Sequence, residues 1–192
     1  MKKYFLLFLM ALVVVSCSRT VEVKGKITNA NPLDRIEIID ASGVATLPLV
    51  NLGVDKNGEF SGKFDAPDNG MYILSYGGDM TSLYLRKGQT LVISGMGPTF
   101  PRQYTITGDA KANNDFMKVS EDSFRKYVSK MDTGGMISKN EDQFLAQFNK
   151  VKDDLLNKVE EDGKKLKADK EAIQNKKDEI TGKLFGLLDA HE

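Results

Sequence analysis

The sequence predicts an α+β protein, in which an N-terminal antiparallel β-sandwich or partly open barrel is followed by a C-terminal helical segment. Three observations support this prediction. From Thr20 to about Gly108, short runs of alternating apolar and polar residues are separated by turn residues, which is typical of half-buried strands. After Gly108, apolar residues recur at helical spacing among many charged ones. Before Thr20, a short apolar leader ends at the single cysteine, Cys17.

Residues 1–16 have the form of a secretory signal peptide. Lys2 and Lys3 precede twelve apolar or aromatic residues, and Ser16 and Cys17 follow them. The apolar run is too short to span a bilayer, which takes about 20 residues. An ordinary secretory leader with a chance cysteine near its cleavage site is the alternative.

The residues Val14-Val15-Ser16-Cys17 resemble a lipobox, the cleavage and lipidation signal of bacterial lipoproteins. The resemblance implies that the mature chain starts at Cys17, which carries acyl chains, and that residues 17–19 are its lipidated N-terminus. Several acyl chains anchor a protein stably, whereas one binds only marginally. Ser18 stands where Asp would signal retention at the inner membrane. Together with the lack of an acidic cluster after Cys17, this favours the outer membrane, on the side that faces the periplasm.

Composition argues against most chemical functions. The chain has 27 basic and 27 acidic side chains, which gives no electrostatic case for nucleic acid. With Cys17 lipidated, no thiol remains for a disulfide, a metal or a nucleophile, and the single histidine, His191, lies next to the C-terminus. We therefore predict no catalytic, cofactor-binding or metal-binding residue. The expected partners are the membrane, through Cys17, and an envelope protein, while the oligomeric state stays open.

Residues 20–110 are predicted to form the β domain. Val21, Val23 and Ile27 alternate with charged residues in the first strand. The segment 55–58 predicts a hairpin turn, because Asn-Gly tolerates positive φ. Phe60 should share one face of the following strand with Phe64. Further strands are predicted at residues 34–40, near 47–52, and at 71–76, 82–85, 90–94 and 103–107.

Residues 111–192 are predicted to form a charged helical segment. Asn113 is expected to cap the first helix, and residues 133–135 to break it. Ser138-Lys-Asn-Glu141 matches a capping box for the next helix. An apolar stripe then follows at helical spacing, made of Phe144, Phe148, Val151, Leu155, Val159, Leu166, Ile173, Ile180 and Leu187.

The stripe allows two interpretations. A coiled-coil rod needs apolar residues at both a and d positions, but the d positions of its second half hold Asp169, Lys176 and Lys183. Helices that lie on their own sandwich, or that serve as a linker, are therefore favoured. The basic run 164–167 follows the acidic run 160–162, which should cancel its charge and leave a solvated helical face.

Two other groups of residues have the composition of a possible site. Asp153-Asp154 and Glu160-Glu161 are adjacent pairs, and adjacent residues on a helix point apart, so neither pair forms a general acid–base couple. The tyrosines Tyr72, Tyr76 and Tyr84 could line an apolar pocket, but packing within a β-sheet is the favoured interpretation.

The order of segments in the β half also resembles a known domain. The segments are 23–27, 54–64 with Pro67, 71–74, 83–95 and 104–108 with Asn113-Asn114. They are similar to the N-terminal β domain of unknown function that precedes a thioredoxin fold in TlpA/ResA-like envelope lipoproteins. The resemblance covers about residues 20–118. It implies no redox residue here, since the chain contains no Cys-x-x-Cys motif.

These observations predict a membrane-anchored periplasmic lipoprotein that serves as a non-enzymatic binding or positioning module. The alternative is the accessory N-terminal part of a thiol–disulfide oxidoreductase whose thioredoxin domain is missing from this chain. Both interpretations place the protein in the cell envelope. They differ in whether a redox domain lies next to the β domain.

The lipobox resemblance makes a direct prediction. Replacement of Cys17 by serine should leave the protein unlipidated and release it from the membrane fraction, because the thioether needs the sulfur. Metabolic labelling with a fatty acid, followed by membrane fractionation, measures both effects. Label that persists in the Cys17→Ser protein would rule out lipidation at this residue.

Overall fold

Two four-stranded sheets form the β part of the chain. The computed structural model describes residues 19–41 and 47–189, so Cys17, the lipobox and His191 lie outside the described residues. The strands are β1 Thr20–Thr28, β2 Arg35–Asp40, β3 Val50–Gly53, β4 Glu59–Asp65, β5 Gly70–Tyr76, β6 Asp79–Leu85, β7 Thr90–Met96 and β8 Tyr104–Thr107. The strand orders are β4-β1-β7-β8 and β3-β2-β5-β6. The predicted α+β class with an N-terminal β part is confirmed.

The pairing within the sheets is antiparallel with one exception. β1 lies between β4 and β7 and runs parallel to β7, with Val23 opposite Leu91. This parallel pair was not predicted, because period-2 alternation shows which face of a strand is buried but not which strand lies beside it. Gly25 allows the two strands to approach, since a Cβ at this position would lie 1.7 Å from the Ile93 carbonyl oxygen.

The predicted turn at residues 55–58 forms, but it joins two sheets. Gly58 has a φ of 78°, and the backbone N–H groups of Asn57 and Glu59 each donate to Asp55 Oδ1 over 2.8 Å. β3 pairs with β2, however, and β4 pairs with β1. The turn is therefore a corner between the two sheets, and the strands on either side of it are not paired as a hairpin.

The strand directions give the sandwich two distinct ends. The proximal end carries the start of β1, the β4–β5 loop (66–69) and the β6–β7 turn (86–89). The distal end carries the β3–β4 turn and the β5–β6 turn at residues 77–78. The chain enters the sandwich at the proximal end, because Thr20 pairs there with Asp65, the last residue of β4.

Four helices follow a single 3₁₀ turn at Gly108–Ala110. They are α1 Lys111–Val128, α2 Thr133–Ile137, α3 Glu141–Leu166 and α4 Lys170–Asp189. Two predicted caps are wrong. Asn113 is a buried residue inside α1, which continues directly from the 3₁₀ turn. Asn140, not Ser138, caps α3, because its side chain accepts the Gln143 backbone N–H over 3.0 Å while Ser138 ends α2.

The chain reverses direction between α3 and α4. Lys167 adopts the left-handed conformation, with a φ of 56°, and its backbone N–H bonds to carbonyls at the end of α3. The apolar stripe is therefore divided between two helices that pack on each other, and the coiled-coil rod is wrong. α1 lies along the edge strands β6 and β8, which agrees with the interpretation that the helices lie on their own sandwich.

The apolar residues form two cores. The first fills the space between the sheets and includes Tyr72, Tyr76, Phe60 and Phe64, so the two predicted phenylalanines do share the inner face. The second core joins the helices to the outer face of the second sheet. Tyr84 lies on that face and is fully buried among the helical residues. The three tyrosines therefore do not line a common pocket. No helix among the described residues is both long and apolar enough to cross a membrane.

We expect residues 20–110 to fold without the helices. Every buried member of the first core lies between Val21 and Ala110, whereas the second core needs Tyr84 and Met71 from the sheet. A chain of residues 20–110 should therefore unfold in one cooperative transition, and residues 111–192 alone should melt without one. Circular dichroism during thermal unfolding measures both. An unfolded 20–110 chain would mean that the two parts share one core.

Candidate functional site

A polar cleft of about 510 Å³ lies where the helices meet the edge of the sandwich. Met80 and Thr81 of β6 and Tyr104 of β8 form its β side, and α1 and α4 form its helical side. A second groove of about 830 Å³ follows β1 and β4, but its lysine and carboxylate side chains are all exposed. Of these two, the first cleft combines a buried charged residue, Lys176, with an exposed apolar side chain at its rim, Met80, and it is therefore our candidate site.

A buried asparagine attaches α1 to the β side of this cleft. The Asn114 side chain accepts the Tyr84 backbone N–H and donates to the Tyr84 carbonyl, with both distances 2.8 Å. It also donates to the Ala110 carbonyl over 2.8 Å. β6 is an edge strand, whose outer backbone groups have no partner strand. The Asn114 amide supplies a partner for both backbone groups of one β6 residue, Tyr84, and so fixes α1 against the sheet.

The preceding residue, Asn113, connects α1 to the turn between α3 and α4. Its amide nitrogen donates to Asp169 Oδ2 over 2.7 Å, and its amide oxygen accepts the Asp169 backbone N–H over 2.9 Å. Asp169 also pairs with Arg86 of the β6–β7 turn, at 3.1 Å. The sequence showed this asparagine pair without revealing its role, because an asparagine in a first helical turn is read most simply as a cap.

Lys176 is the buried charge at the centre of the helical side. Only 4% of its side chain is exposed. Its ammonium group lies 2.9 Å from Glu121 and 3.0 Å from Glu179, and Lys183 contacts both carboxylates as well, at 2.9 and 2.6 Å. Two carboxylates thus compensate two ammonium groups, which satisfies the requirement that a buried charge be paired.

Glu121 and Lys183 are held in their ionised forms. Burial alone would raise the pKa of Glu121, but hydrogen bonds from Lys176 and Lys183 outweigh burial and lower that pKa to about 2. Burial opposes the charge of Lys183 too, yet Glu179 and Glu121 raise its pKa above the usual value. A general acid or base needs a pKa near the working pH. Glu121 and Lys183 are therefore suited to holding a fixed charge pattern rather than to moving a proton.

The rim of the cleft presents cations and an apolar side chain. The Lys118 ammonium group lies 4.5 Å from the centre of the Tyr104 ring, and Arg102 pairs with Asp79 at 3.5 Å. Met80 is 64% exposed beside them, at the distal end. Such a surface can contact a partner through both apolar area and charge.

The carboxylate pairs named in the sequence have structural partners. Asp154 accepts a hydrogen bond from the Tyr127 hydroxyl over 3.1 Å, and Glu160 pairs with Lys177 and Lys164. Within residues 19–41 and 47–189, no three His, Cys, Asp or Glu residues are placed so that they could hold a metal ion. Cys17, the predicted lipidation site, lies outside the described residues and stays a prediction.

Comparisons with known proteins add little to this description. A scan against protein families finds no match, and no curated protein matches the chain. Among solved structures, the chain is similar to a DUF3823 family protein from Parabacteroides merdae, with 13% identity and a TM-score of 0.29. The match spans 40% of this chain and 46% of that one. A TM-score this low carries no argument about the fold, and none of these comparisons links the chain to TlpA/ResA-like proteins.

The Glu121 cluster makes a prediction about stability and pH. Glu121→Gln should lower the free energy of unfolding at neutral pH by about 1–3 kcal/mol, because it removes a charged partner from the buried Lys176. The pKa of Glu121 is lower in the folded chain, so its contribution is present above about 4.5 and is lost as the pH falls towards about 2. The difference between the two proteins should shrink over that range.

Urea unfolding of both proteins at several pH values measures this difference. Glu161→Gln is a matched control, because Glu161 is 73% exposed and its pair with Lys158 is 3.8 Å long. We expect the control to change stability by less than about 1 kcal/mol. Equal losses in the two variants would show that the Glu121 cluster contributes no more than a surface charge.

Proposed function

We propose that this protein is a lipid-anchored, non-enzymatic binding module of the bacterial cell envelope, held at the outer membrane and facing the periplasm. The distance between the predicted anchor and the folded body carries this proposal. Three peptide units separate Cys17 from Thr20, the first residue of β1. A chain extends by at most about 3.6 Å per residue, so these residues span roughly 10 Å. A lipid on Cys17 would thus hold the sandwich directly at the membrane surface.

Binding rather than catalysis fits the electrostatics of the cleft. Its clustered charges compensate one another, and the pKa shifts of Glu121 and Lys183 keep both groups ionised at neutral pH. Lys118 and Met80 stand at the rim, where a partner could reach them. We therefore propose the cleft as the surface that contacts an envelope protein.

Photo-crosslinking in living cells tests this binding surface. A photoreactive amino acid at position 80 should give a specific adduct with a second envelope protein, because Met80 lies at the rim of the cleft. The same probe at Leu33 is a matched control, since Leu33 is an exposed apolar residue, at 86%, at the same distal end but outside the cleft. Adducts of equal yield at both positions, or at neither, would contradict the proposal.

The segment order of the β half supports a second candidate function. It resembles the accessory domain of TlpA/ResA-like proteins, so the chain would be the N-terminal part of a thiol–disulfide oxidoreductase. Under this proposal, the gene should encode a Cys-x-x-Cys motif within about 100 residues after Glu192, the size of a small domain. Sequencing the downstream DNA decides the question, and a stop codon directly after Glu192 would rule this candidate out.

A further inference from the structure

We propose that the turn between α3 and α4 is a second membrane contact, in which Lys165, Lys167 and Lys170 bind the anionic headgroups of phospholipids. This inference rests on the lipid anchor proposed above, because the anchor brings the bilayer to the proximal end of the sandwich. Residues 164–170, the basic turn, contain four lysines and one aspartate.

The basic turn lies at the proximal end. The Glu22 backbone N–H, close to the start of β1, donates to the Gln89 carbonyl over 3.0 Å. Gln89 belongs to the β6–β7 turn, and Arg86 of the same turn pairs with Asp169 at 3.1 Å. A further contact joins Asn69 of the β4–β5 loop to Glu171 over 2.9 Å. The basic turn is thus attached to the end of the sandwich at which the chain enters.

Three lysines of the basic turn keep their charge uncompensated. Lys165, Lys167 and Lys170 are exposed and form no ion pair within the described residues. Lys164, by contrast, pairs with Glu160 at 3.3 Å, and the single aspartate, Asp169, pairs with Arg86. Residues 164–170 therefore hold three lysines without an ion pair, next to the single exposed carboxylate of Glu171, and keep an excess of positive charge.

The interpretation based on the sequence is confirmed only in part, because the acidic run 160–162 neutralises Lys164 but does not pair with Lys165 or Lys167. Glu160 pairs with Lys177 on α4 at 2.5 Å as well as with Lys164. Glu161 and Asp162 both pair with Lys158, and the Asp162 side chain is only 5% exposed. A count of neighbouring charges could not show this, because the helix directs these carboxylates towards other partners.

The backbone of the turn gives a second observation. Lys167 lies in the left-handed region, with a φ of 56°, at the end of α3. Glycine is the usual residue at such a position, since a side chain there is strained. The chain has a lysine at this position, so the reversal adds a cation to the turn where the backbone alone would favour glycine.

A basic surface beside a lipid anchor has a clear physical use. Lysines close to an anionic membrane strengthen binding, and their effect fades beyond a Debye length of about 10 Å at 0.1 M salt. The anchor and the basic turn would together hold the proximal end against the bilayer at two points. The rim residues Met80 and Arg102 lie at the distal end, so the cleft would then open away from the membrane.

Vesicle binding by the unlipidated chain tests the proposal. Residues 18–192 contain both cores complete, because the first core residue is Val21, so this chain keeps the fold without its anchor. It should co-sediment with vesicles that contain phosphatidylglycerol, and not with vesicles of phosphatidylcholine alone. The triple variant Lys165→Glu, Lys167→Glu, Lys170→Glu should bind the anionic vesicles about tenfold more weakly than the unmodified chain.

The matched control reverses three exposed lysines elsewhere, Lys56→Glu, Lys130→Glu and Lys150→Glu, and should bind more tightly than the basic-turn variant. A milder variant with glutamine at positions 165, 167 and 170 should show an intermediate loss, and circular dichroism confirms that each protein is folded. Absence of binding by the unmodified chain, or equal losses in the two charge-reversed variants, would overturn the proposal. Because this chain lacks Cys17, the outcome is independent of whether Cys17 is lipidated.

Discussion

The hydrogen bonds of the buried Asn114 side chain are the interactions on which the placement of the helices on the sandwich depends. They pair both backbone groups of Tyr84, on an edge strand, with a helix instead of another strand. Without them, two buried polar groups would lose their partners, at a cost of about 1–3 kcal/mol each. The side chain therefore pairs the edge of the second sheet at Tyr84, and it fixes the position of α1 relative to the sandwich.

The position of α1 then determines the two surfaces of interest. One residue before Asn114, Asn113 holds Asp169 and with it the reversal between α3 and α4. Seven residues after Asn114, about two helical turns, Glu121 receives Lys176 and Lys183 of α4 on the wall of the cleft. The basic turn at the proximal end and the charged cleft nearer the distal end are thus positioned by residues of a single helix.

The sequence predicted the parts of this fold that depend on local pattern. Alternation identified the inward residues of β1 and β4, and the Asn57-Gly58 pair identified a turn, because both signals arise within a few residues. The sequence did not show the parallel pairing of β1 with β7. It also did not show the role of Lys176, whose partner Glu121 is 55 residues away. Lipidation at Cys17 remains a prediction from the sequence.

Hydrogen exchange in the Asn114→Ala variant tests most directly whether Asn114 holds the helices on a sandwich that is stable without them. The account predicts that amides in α1 and α4 exchange faster in this variant than in the unmodified protein, while the central strands β1 and β7 keep their protection. Asn149→Ala, which changes an exposed asparagine on α3, should leave both regions unchanged. Equal loss of protection in the helices and in the central strands, or no loss in either, would contradict the account.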